Sequence, residues 1–154
     1  MKTKAAVITL LIGIPAFLLG PNAPLGHFVW PAPAHLMPEP TSTQALLFVL
    51  LGLLEAVALG LAVAFVTFGW PLVKQVKAPY RGRAVVAFCS TAWLLGNWWL
   101  HDNLHMVAGM NPQGLLWIDY IFHGSLILAA AALAACGVSL LVERPLALAV
   151  SQTR

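Results

Sequence analysis

Charge is what this chain has least of. Only 8% of its 154 residues are Asp, Glu, Lys or Arg, against 60% in the hydrophobic set, and mean hydropathy is +0.86. A soluble domain is about a quarter charged and under half apolar. Such a chain cannot cover its own surface with polar groups in water. A soluble enzyme, a nucleic-acid-binding domain and a disordered tail are therefore excluded, and an integral membrane protein is expected. No nucleic acid is expected among its partners. Cysteine is nearly absent: Cys89 and Cys136 stand far apart with no C-x-x-C and no adjacent histidine. Small buried hydrophobes are the expected reading, and a thiol oxidoreductase is disfavoured. At about 20 apolar residues per span, the length allows four or five crossings and short loops.

Long apolar runs are what the chain has instead. They predict an all-α, four-span membrane bundle over about 5–20, 44–70, 83–107 and 114–142. Lys2 and Lys4 before the first run also suit a signal peptide. With no clear small-x-small cleavage site behind it, the run reads as a retained first span, bent at Pro15. Thr41, Ser42 and Thr43 are candidate caps for the second run, and Pro71 is expected to close it. Lys and Arg are missing from 21–43 and 108–113. All eight occur as Lys2 and Lys4, then Lys74, Lys77, Arg81 and Arg83, then Arg144 and Arg154. By the positive-inside rule both termini and the 71–82 loop face the cytoplasm, giving a multi-pass protein of the bacterial inner membrane type. The basic loop serves chiefly to set that topology. The loop 21–43 is rich in proline but also apolar, so an irregular extracytoplasmic lid over the bundle is expected.

On this topology all five histidines, His27, His35, His101, His105 and His123, lie toward the outer side. His101 and His105 are four apart on the third span, and Asp119 and His123 four apart on the fourth. Each pair therefore shares one helix face. The two spans are joined by a short turn and must be antiparallel neighbours. At 1.5 Å per residue, His101 and His123 lie about 10 and about 13 Å deep, with His105 and Asp119 near 5 and 7 Å. Four donors around one point are the arrangement helical bundles use for metal sites. His101, His105, Asp119 and His123 are the candidate ligands. Asn97, one turn deeper, Asp102, and the loop residues His27 and His35 are candidate outer partners. For His27 and His35 simple hydrogen bonding to water or backbone is the plainer reading.

Glu55 lies about 18 Å along the second span. A carboxylate there must be neutralised, protonated or paired, so a role as proton acceptor or extra ligand is open. Imidazole and carboxylate suit copper, iron or zinc, and Met37, Met106 and Met110 on the same side slightly favour copper. A haem between His101 and His123 would leave His105 and Asp119 unexplained. The segment His101-Asp102-Asn103-Leu104-His105 resembles one box of the membrane fatty-acid hydroxylases and desaturases, but the H-x-x-H-H boxes of that family are absent and no family follows. Three functions stay open. The first is a membrane metalloenzyme or metal-handling subunit. The second is an accessory subunit of a larger complex, or homo-oligomer, whose polar cluster is structural. The third is a metal-free acid–base enzyme acting on a lipid-like substrate.

Overall fold

The computed structural model describes residues 2–21, 23–31, 41–109 and 111–152, with side chains described up to residue 141. Among these the only regular secondary structure is helix. Helix α1 is Lys2–Leu18, α2 Ser42–Lys74, α3 Ala78–Gly96, α4 Trp98–Ala108, α5 Pro112–Ile118 and α6 Gly124–Gln152; a π-helical turn, Asp119–His123, joins the last two. Among the described residues, two helices are long and apolar enough to cross a membrane: Ser42–Lys74 and the run Pro112–Leu141, with mean hydropathies of 2.6 and 2.1.

Helices α1 and α2, α2 and α3, and α3 and α6 pack antiparallel, and small residues set the approach of the first pair. A Cβ on Gly60 of α2 would lie 2.4 Å from the Thr9 carbonyl oxygen of α1, and one on Gly13 would lie 3.1 Å from that of Ala56. Ala56, Gly60 and Ala64 are spaced four apart and buried, so α2 offers α1 a smooth stripe. Such small-residue seams let backbones meet where apolar burial gives helices no preference over lipid. On the other side of α2, Phe88 of α3 stacks on Phe65 at 4.8 Å and touches Trp70. Between α3 and α6, Arg83 donates to Ser139 and Trp93 to Ser125.

The helix ends differ from the sequence expectation in three places. Pro71 does not close α2, which runs three residues further to Lys74. The predicted third span begins earlier, at Ala78, and is broken at Asn97. The cause is local: the Asn97 amide donates to the Trp93 carbonyl at 2.6 Å, and the Trp98 indole takes the Leu94 carbonyl at 2.8 Å. Side chains thus occupy two carbonyls of the ladder, a substitution that bends helices. The predicted fourth span contains the π turn, where the Gly124 amide bonds the carbonyl five residues back at Asp119.

The expected lid is described only in part, because 32–40 lies outside the described residues. Its first stretch is irregular apart from a 3-10 turn, Gly26–Phe28. It is tied down by Trp30, whose indole donates to the Leu19 carbonyl at 2.7 Å and packs on Trp99 of α4. The cysteines are not buried: Cys89 is exposed and Cys136 half-buried. Neither sits on the α1–α2 seam, where the small buried positions are.

Candidate metal centre

Three histidines from two chain segments converge. His101 and His105 stand one turn apart on α4, and His123 ends the π turn on the facing helix. Nε2 of His101 lies 3.0 Å from Nε2 of His123 and 3.1 Å from Nε2 of His105. One nitrogen from each ring lies within 4.8 Å of the others, so the three can hold a metal ion. Two imidazole nitrogens on one tetrahedral ion, each at about 2.05 Å, are about 3.3 Å apart. The observed spacings are close to that.

The remaining nitrogens are also engaged. Nδ1 of His101 is 2.6 Å from Oδ1 of Asp102, and Nδ1 of His123 is 3.0 Å from Oδ1 of Asp119. A carboxylate at Nδ1 favours the tautomer with the ring proton there, which leaves the Nε2 lone pair toward the cluster, as in carboxylate–histidine–metal arrangements. Phe122 at 5.4 Å and the edge of Trp98 at 6.2 Å pack against the His101 ring. His101 is buried, whereas His123 keeps half of its side chain exposed. The cluster is therefore sealed on the α4 side and open beside His123.

Asp119, expected among the ligands, stands behind His123 and outside the converging set. The reason is reach. A histidine side chain leans toward the N-terminus of its helix, so the short carboxylate one turn earlier meets the near nitrogen of the same ring. Asp102, a candidate outer partner, lies 2.6 Å from Nδ1 of His101. Asn97 is almost fully buried, but its amide serves the helix bend rather than a ring nitrogen. His27 is exposed and packs on Phe28, apart from the cluster. His35, Met37 and Met110 lie outside the described residues. Glu55 is buried. Three buried polar atoms, Glu55 Oε1, Asn97 Oδ1 and Asn103 Nδ2, have no hydrogen-bond partner among the described residues.

Phe122 and Trp98 were missed as walls of the site. Their signal was adjacency, one beside a candidate ligand and the other three residues before one. No family model matches the chain, and no curated protein or solved structure is similar to it.

Proposed function

We propose that this chain is a small multi-pass membrane protein that holds one transition-metal ion between His101, His105 and His123, near the extracytoplasmic end of the bundle. The observation that carries the proposal is the pair of facing Nε2 atoms at 3.0 Å whose Nδ1 partners are both carboxylates. Two neutral imidazoles so held point lone pairs at each other, and a cation between them removes the repulsion. Three imidazoles suit zinc, copper(II) or iron. Three protein ligands with one accessible side, here beside His123, match a catalytic or exchanging site more than a closed structural one. Membrane metalloenzyme or metal-handling subunit is thus the reading favoured.

In this reading α1, α2, α3 with α4, and α5 with α6 are the four crossings. Antiparallel packing supports that count. It also places Lys2, Lys4, Lys74, Lys77, Arg81 and Arg83 at the end opposite the histidines, which fits a cytoplasmic face in a bacterial inner membrane.

Metal analysis of protein purified in mild detergent tests the proposal. About one ion per chain is expected for wild type, and none for the His101→Ala, His123→Ala double variant. Metal-free wild type after exposure to zinc, copper and iron would sink it. That outcome would instead favour the accessory-subunit reading, with a shared proton between the rings.

A further inference from the structure

Where the start of α1 meets the C-terminal half of α2, the two helices leave a groove of about 390 Å³. Lys2 and Ala5 of α1 line it, with Leu61, Phe65, Phe68 and Leu72 of α2. Small residues keep it open. Ala5 and Ala64, which also lines it, continue the seam set by Thr9 and Gly60. Gly69 must stay a glycine, because a Cβ there would stand 2.7 Å from the Phe88 ring of α3. Phe65 is held by its own stack on that ring at 4.8 Å. From Leu61 to Leu72 the groove runs about 16 Å along α2, and one leaflet's share of a hydrocarbon core is about 15 Å. Lys2 is the charged member of the lining. No acidic residue occurs in 1–38 or in 56–101, so α1, α3 and α2 beyond Glu55 hold no carboxylate to neutralise it.

We propose that this groove binds one phospholipid of the cytoplasmic leaflet with an anionic head group. An acyl chain lies along α2, and the head-group phosphate meets the Lys2 ammonium. The site is separate from the metal centre and rests only on the membrane reading above, which sets Lys2 at the cytoplasmic face. Size decides between a chain and a helix as occupant. Spread over its length, the groove has a mean cross-section of about 24 Å². A helix with its side chains is about 10 Å across, roughly 80 Å² in section, and cannot enter. A single extended hydrocarbon chain can. Charge then selects the head group. The lysine stem lies along apolar surface while its ammonium stays at the interface, where it serves as a point charge for a phosphate.

Native mass spectrometry of the full-length protein in detergent tests this, with phosphatidylglycerol and phosphatidylcholine of identical chains supplied in turn. Wild type is expected to retain phosphatidylglycerol about 5-fold more tightly, the worth of one basic side chain at an anionic surface. Lys2→Gln should erase that preference. Lys4→Gln, on the same helix but outside the groove lining, should keep it. Ala5→Phe, which fills the groove, should weaken retention of both lipids. Lys2 is exposed, so its variant keeps the fold and decides the matter even where Ala5→Phe does not fold. Equal retention of the two lipids by wild type overturns the proposal. So does a preference that survives Lys2→Gln, or a folded Ala5→Phe that retains both lipids as wild type does. A preference lost equally in Lys4→Gln also overturns it, because a diffuse basic surface would then be responsible. All four outcomes leave the membrane reading standing. If the chain fails to insert into vesicles of either lipid, the membrane reading fails and the lipid site falls with it.

Discussion

Nε2 of His101 faces Nε2 of His123 at 3.0 Å, while the other nitrogen of each ring is held by an aspartate of its own chain segment. The relationship sets the electrostatics of the centre. Each carboxylate raises the electron density of its imidazole and fixes its tautomer, so each ring presents a lone pair to the gap. The two aspartates are not equivalent. Asp102 and His101 are largely enclosed by α4 and its neighbours, whereas Asp119 and His123 are about half exposed.

That asymmetry predicts unequal effects of the two neutralising variants. Asp102→Asn is expected to weaken metal binding about 10- to 100-fold. Asp119→Asn should weaken it less, because water can replace the carboxylate at the exposed ring. Competition with a chelator of known affinity measures both. Equal losses would contradict the assignment of a buried and an open side.

Acidification should release the ion. Each imidazole must be neutral to bind, so protons compete with metal as pH falls. With three imidazoles, affinity should fall by more than one decade per pH unit at the acidic end. Thermal stabilisation by metal should be present at pH 8 and lost by pH 5. Affinities and melting temperatures measured across that interval decide the matter. A flat profile would argue against imidazole ligands.

The α1–α2 seam makes a separate prediction about stability. Gly60→Val drives a branched side chain toward the Thr9 backbone, where a Cβ alone would stand 2.4 Å from the carbonyl oxygen. Overpacking of this kind costs about 1–3 kcal/mol or more. Gly52→Val, on the same helix, meets nothing within 4 Å and should stay within about 0.5 kcal/mol of wild type. Thermal unfolding of the two variants in the same detergent compares them directly.

Much of this centre was legible because helical spacing is arithmetic. The four-residue intervals His101–His105 and Asp119–His123, with a short turn between their helices, were enough to bring His101 opposite His123. The apolar lengths of α2 and of the Pro112–Leu141 run were equally plain. Other features depend on atoms that spacing does not carry. The break at Asn97 arises because one side-chain amide competes for a backbone carbonyl, and many asparagines in helices do not. The position of Asp119 behind His123 is another, because comparing facing helices by depth alone does not register which ring nitrogen a neighbouring carboxylate reaches. The burial of Glu55 depends on how α2 packs against its neighbours. Depth alone placed Glu55 near the middle of its helix without a cationic partner.

The π turn has a consequence for how the centre arises or is lost. A π turn is one residue more than an α-helix needs over the same stretch. Removing a single residue between Asp119 and His123 would restore ordinary winding. The rest of the run, from Gly124 onward, would keep its fit to α3 only by turning the preceding segment about 100° relative to it. His123 and the α4 histidines could then no longer share the geometry seen here. The convergence of the three histidines is therefore a trait that one codon's deletion can switch off without removing any of them, and that one codon's insertion into a plain apolar helix can bring within reach.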